Sequence, residues 1–279
     1  MRARAYPLLW RVVAGVLVAV SRGSLPIILL LVMTASDPPV TPPVLFVLVT
    51  VLAGVPGVAA WLIGRAFAAQ VEARSDGLVI RRVGWHLEVP WPAITQIIPW
   101  VVPLPGVGLS FRLGSGRRLP CSVEVEDPAV LLAELAERGG VAAAGVAAAH
   151  PAVGFGRARA TVGRRRWYHW MGRFPLFALL PTGVLFNAHQ HIAYGGLLGQ
   201  YYLFGLQAYL RTFAVYWATV TIYVVLYAAV LRGVAEAIAW IVAWAAPRFA
   251  VPVRRAVETA GQILYYGGVP LLLALRFLA

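Results

Sequence analysis

The chain alternates between two textures of apolar and polar positions. Apolar runs on the order of 20 residues, the length a ~30 Å hydrocarbon layer requires, cover 8–35, where Arg11 and Arg22 are the only charges, and 43–64, which has none; they begin again at Phe174 and recur within 205–231 around Arg211. Between 70 and 140 the period shortens to two. Val107, Leu109, Phe111 and Leu113 alternate with Gly108, Ser110 and Arg112, and Leu119, Cys121, Val123 and Val125 alternate with Pro120, Ser122 and Glu124. That is the pattern of strands with one buried face, and Gly114-Ser115-Gly116 between them predicts a hairpin turn. Gly77 to Arg82 and Trp85 to Val89 predict an earlier pair turning at Val83-Gly84. Asp127 then caps a helix with Pro128 at its first position. Leu131, Leu132 and Leu135 form its apolar face, and Gly139-Gly140 ends it.

These textures divide the chain into four parts. Residues 1–69 predict an N-terminal two-span membrane hairpin. Ser21-Arg22-Gly23 and Pro26 interrupt its first element, which favours an interfacial helix over 7–21 leading into a short span. One tilted helix with Arg22 facing protein is the alternative, since an unpartnered arginine at mid-bilayer costs ~2.5 kcal/mol or more. The proline-rich loop at 36–43 ends that element, and Pro56 predicts a kink in the second span. Residues 70–140 form the inserted β domain, and 141–172 read as a linker, Ala/Gly-rich and then basic and aromatic. Residues 173–279 hold two to three further spans, of which Gly261 to Ala279, kinked at Pro270, is the candidate fifth. The fold class is therefore an α-helical integral membrane protein of four spans, with a fifth candidate, and an inserted small α+β domain.

The stretches "SDGLVIRRVGWHLEVPWPAI" and "LSFRLGSGRRLPCSVEVEDPAVLLAEL", with the two spans just before them, carry a resemblance. Strands followed by one amphipathic helix, placed between spans, resemble the small pleckstrin-homology-like domains of bacterial membrane proteins. The resemblance covers about 70 residues. It implies a pleckstrin-like fold on a membrane-linked scaffold and does not imply catalysis.

Composition sharpens this picture. Of 279 residues, 60% are hydrophobic and only 13% charged, and the mean hydropathy is +0.76, against about a quarter charged in soluble domains. The net charge is +13, and all 24 basic residues are arginine. Most flank apolar runs, where the positive-inside rule wants them, so the basic excess does not point to nucleic acid. With Arg2, Arg4 and Arg11 inside, the N-terminus and the β domain are expected in the cytoplasm of an inner-membrane protein, and 189–209 in the periplasm. Cys121 is the single cysteine, which excludes an internal disulfide and a CxxC motif.

Candidate chemistry is sparse. Asn187, His189, Gln190, His191, Tyr194, Gly195 and Gly196 form one polar cluster, read as an interaction turn between the third and fourth spans. Two imidazoles at i and i+2 sit about 200° apart on a helix and cannot share one face. On a strand or turn His189 and His191 could hold a metal, given a third and fourth ligand. The neighbouring amides and tyrosine are weak ligands, so no metal and no cofactor is expected. Arg81, Arg82, Arg112, Arg117 and Arg118 are candidate contacts for anionic lipid headgroups, each contributing ~1 kcal/mol near a negative leaflet. Glu236 and Arg232, four apart on one helix face, are expected to pair. No GxSxG, HExxH, Walker loop or GxGxxG motif is present, which argues against an enzyme. The expected function is a non-catalytic scaffold or accessory subunit of a larger membrane complex, energy-converting complexes included, with other membrane subunits and anionic lipids as partners. The alternatives are a small metal- or cofactor-binding enzyme using His189 and His191, and a lipid-handling protein using the arginines.

Overall fold

The computed structural model describes residues 1–34, 40–162 and 172–278. The acidic end of the proline-rich loop at 36–39 and the basic and aromatic run at 164–170 lie outside the described residues. Three helical runs are long and apolar enough to cross a membrane: Leu8–Thr34, Pro42–Ala66 and Gly199–Ala245. The chain falls into two compact units, one made of Met1–Gly23, Val51–Arg165 and Ala235–Val257, the other of Ser24–Thr50, Arg166–Val234 and Glu258–Ala279.

The first unit is built on a seven-stranded sheet. Its strands are β1 (Arg2–Pro7), β2 (Ala68–Ala73), β3 (Gly77–Arg82), β4 (Trp85–Pro90), β5 (Ile94–Pro99), β6 (Gly108–Leu113) and β7 (Cys121–Val125). They lie in the order β4-β3-β2-β1-β7-β6-β5, with every paired neighbour antiparallel. The β3–β4 and β6–β7 pairs match the hairpins expected from the sequence. β1 was not expected: residues 2–7 belong to the sheet, not to the membrane segment alone. Their alternation puts Ala3 and Ala5 in the core while Arg2 and Arg4 point out.

Helix α4 (Pro128–Gly139) closes the sheet as its cap signals require. The Asp127 carboxylate accepts from the Ala129 amide at 2.9 Å, and Gly140 takes the left-handed conformation at φ 58° that ends the helix. Leu131, Leu132 and Leu135 are buried with Leu109, Phe111 and Val123 in one core. Each such leucine is stabilised by about 1.5–3 kcal/mol relative to leaving it in water. The expected linker at 141–172 needs correction. Helices α5 (Ala142–Ala148) and α6 (Pro151–Thr161) occupy its first half, and Val141, Ala144, Ala147 and Val153 join the same core. Small alanine side chains let α5 sit close to β5 and α6 close to α4 while giving little hydropathic signal.

One further correction concerns the N-terminal helices. Helix α1 is continuous over Leu8–Thr34, so the interfacial-helix-plus-span reading does not hold. The second run comprises α2 (Pro42–Leu48), a π-helical turn at Val49–Gly54, and α3 (Val55–Ala66). The widened turn lies just ahead of Pro56, whose missing N–H breaks the regular ladder. Ser21 Oγ donates to the Ala53 carbonyl within this turn at 2.7 Å, taking up one of its carbonyls.

In the second unit, helix α7 spans Arg173–Tyr194 and α8 runs over Gly199–Ala245, with its last turns in the first unit. At Gly205 the backbone of α8 leaves helical geometry, with φ 81° and ψ 173°. That conformation is open to glycine and strained for other residues. Helix α9 covers Ala250–Leu278. Phe174, Ala178, Val220, Val224, Ala228 and Tyr265 form the core of this unit.

Candidate functional site

The sheet meets its membrane helices without linkers. β1 ends at Pro7 and α1 starts at Leu8; α3 ends at Ala66 and β2 starts at Ala68. The two junction strands pair with each other, Arg4 opposite Ala68. Tyr6, Ala14, Phe67 and Trp100 form a separate buried cluster beneath the sheet. Gly64 makes this approach possible, because a Cβ there would lie 3.2 Å from Arg4 Nε and 3.3 Å from the Tyr6 hydroxyl oxygen.

A polar layer accompanies that cluster. Arg4 pairs with Glu124 at 3.1 Å. Burial, and after it the Glu124 carboxylate, push the Tyr6 phenol well above its ordinary range, so the ring stays neutral. The Trp100 indole donates to Ser110 Oγ at 3.0 Å, and Ser110 and Ser122 hydroxyls share a hydrogen bond of 3.0 Å. These residues alternate with the core positions on β1, β6 and β7, so one face of the sheet packs on α4 and the other on the helix ends. The alternation is legible in the sequence, whereas the role of the second face is not.

A second set of charges joins α6 to the ends of α8 and α9 within the first unit. Arg254, with no exposed surface, grips Glu236 through both guanidinium nitrogens at 3.2 Å. Arg159 approaches the same carboxylate at 3.6 Å. Glu236 thus engages partners on two other helices, which its spacing from Arg232 did not indicate. Val107, Phe155 and Ala158 pack there against Ala239, Ala243 and Ala250, and His150 meets Trp244 edge-on with ring centres 5.6 Å apart.

The expected interaction turn is mostly helix. Asn187, His189, Gln190, His191 and Tyr194 belong to α7, and only Gly195 and Gly196 lie in the turn, Gly195 at φ 71°. Helical geometry sends His189 and His191 apart. His189 packs on Tyr216 and Tyr194, ring centres 5.2 and 5.8 Å away, whereas His191 is exposed. The two do not converge on one ion, and no group of three metal-ligating side chains occurs among the described residues. Gln190 is the residue with structural work here: its amide donates to Gln200 at 2.8 Å, and Gln200 donates to Thr212 at 2.8 Å. This buried chain ties the end of α7 to the start of α8.

The five arginines separate into two groups. Arg112, Arg117 and Arg118 sit on the β6–β7 hairpin, where Arg112 reaches Gln96 at 3.4 Å. Arg81 and Arg82 sit on the β3–β4 hairpin, and β2, β1 and β7 intervene between β3 and β6 in the sheet. Arg81 lies 4.0 Å from Glu72, and the Arg82 guanidinium lies 4.4 Å from the centre of the Phe67 ring.

No family model matches this chain, and neither a curated protein nor a solved structure matches it.

Proposed function

We propose that this chain is a non-catalytic scaffold or accessory subunit of a larger assembly in the inner membrane, with its N-terminus and a pleckstrin-like sheet domain on the cytoplasmic side. The observation that carries this reading is the direct run of β1 into α1 and of α3 into β2. Two paired strands continuous with two apolar helices leave the sheet no tether to swing on. A domain held in this way suits holding a partner at a fixed height and orientation better than capturing a diffusing substrate. The Arg159–Glu236–Arg254 set adds a third attachment, through the last turns of α8 and the first of α9. Arginines at the helix flanks support the cytoplasmic placement. The lengths of α7 and α9, 22 and 29 residues, suit further spans beyond the three most apolar ones. The pleckstrin-like reading draws support from seven strands followed by a closing helix.

Purification from its native membrane in mild detergent, with mass spectrometry of what accompanies it, tests the proposal. Stoichiometric membrane partners, lost when the sheet is destabilised by Phe111→Ala, are the expected result. A chain that purifies alone and turns over a substrate would overturn it.

A further inference from the structure

The depth at which the sheet meets lipid is marked by residues of the first unit. Trp61 and Arg65 lie in the last turns of α3, with the Arg65 guanidinium 5.8 Å from the Trp61 ring centre, and Trp10 packs on Phe67 with centroids 5.8 Å apart. Tryptophan and arginine at a span end belong at headgroup level. The strand register carries that level across to the β3–β4 hairpin. Arg82 pairs with Ala69, three residues past the end of α3, and it stacks over Phe67, the residue that closes α3. The turn following Arg82 is therefore at the same level as the end of the span.

What the turn presents there is unusual for a water-exposed hairpin. Val83 is 98% exposed and Trp85 is 40% exposed. Arg81 and Arg82 flank them, and Arg82 has no ion pair among the described residues. Arg81, Arg82, Trp85, His86 and Glu88 line an open groove of about 410 Å³. An apolar tip, a tryptophan and two arginines at headgroup level are the composition of an interfacial anchor. Glu72 is shared between Arg74 at 3.9 Å and Arg81 at 4.0 Å, so it offsets Arg81 only in part, and Glu88 is the one carboxylate lining the groove beside the two arginines.

We propose that the β3–β4 hairpin is a lipid site: Val83 and Trp85 enter the bilayer interface, while Arg81 and Arg82 hold the phosphate of an anionic phospholipid. This rests on the reading of Pro42–Ala66 as a span and narrows the lipid contact to one hairpin. The β6–β7 arginines are left outside the site.

The test uses the full chain in phosphatidylcholine vesicles with or without phosphatidylglycerol. Its native Cys121 is buried, so bimane can be placed singly at Val83→Cys, Ser75→Cys and Val58→Cys. Ser75 sits in the turn at the opposite end of β3, about 20 Å away, and Val58 is an exposed position of α3. Quenching by brominated lipid is expected at Val58 and Val83, and quenching by aqueous iodide at Ser75. In native mass spectrometry, Arg81→Gln and Arg82→Gln should each lower phosphatidylglycerol retention about fivefold. Iodide quenching at Val83 with lipid quenching at Val58 would overturn the lipid site and leave the span reading standing. Iodide quenching at Val58 would overturn the span reading itself. Unchanged retention in both Gln variants, or displacement of the lipid by inorganic phosphate, would also overturn the site.

Discussion

Arg254 holds Glu236 through two nitrogens at 3.2 Å while keeping none of its own surface exposed. An arginine survives such burial only where hydrogen bonds and an opposite charge offset its lost hydration. Glu236→Ala takes that carboxylate from a guanidinium with no exposed surface of its own. The expected loss of stability is about 3–5 kcal/mol, and the double variant Glu236→Leu/Arg254→Met should lose less than Glu236→Ala alone. Cys121 provides the readout, because a thiol-reactive dye reaches it only when the sheet opens. Equal losses in the single and double variants would show that the pair contributes through shape and not charge.

Phe111 is 1% exposed in the core beneath α4. Phe111→Ala should cost about 3–5 kcal/mol, read as a lower temperature for dye access to Cys121. A shift within error of the wild type would mean that the sheet does not depend on this core.

Burial pushes the Cys121 thiol up to about 11 from 9.0. The folded state therefore keeps a proton that the unfolded chain releases near pH 9. This contribution to stability is fully present below pH 9 and is lost as pH rises through 11. Alkylation by iodoacetamide at pH 8 should be slow in the folded chain and fast after denaturation. Fast alkylation of the native chain at pH 8 would contradict the burial.

Topology can be read with an impermeant maleimide on whole cells. Val40→Cys, in the loop after α1, should react from outside, and Ser115→Cys, in the β6–β7 turn, should not. Labelling at Ser115 from outside would reverse the proposed orientation.

Elemental analysis of the purified chain should find no stoichiometric metal, since His189 and His191 diverge on α7. One equivalent of metal lost in both His189→Ala and His191→Ala would restore the cofactor reading.

The parts of the fold that local patterns encode were legible in the sequence. Alternation gave β3, β4, β6 and β7, and Asp127, Pro128 and Gly140 gave α4 with its bounds. β1 was not legible, because six residues with Arg2 and Arg4 also match the basic flank of a span. Its hydrogen-bond partners lie far along the chain, as the 120-residue separation of Arg4 and Glu124 shows. Helices α5 and α6 were hidden by alanine and glycine, whose burial leaves little trace in hydropathy. At the histidine cluster the geometric constraint on two imidazoles was legible, and the helical state of 187–194 was not. Val83 was legible only as a turn residue, because a lone exposed valine acquires meaning only from the register that brings the neighbouring Arg82 over Phe67.

The separation between β1 and its partners also has a consequence in time. At about 5–20 residues per second, the chain needs roughly 6 to 24 s to extend from Arg4 to Glu124. Throughout that interval the edge of β1 that will receive β7 has no partner, and α1 and the Pro42–Ala66 run are both made before it arrives. Both apolar helices are therefore available for insertion before the sheet can be completed. A nascent chain stalled between Ala73 and Cys121 would carry two apolar helices and an open strand edge, the form most exposed to mispairing and to quality-control proteases.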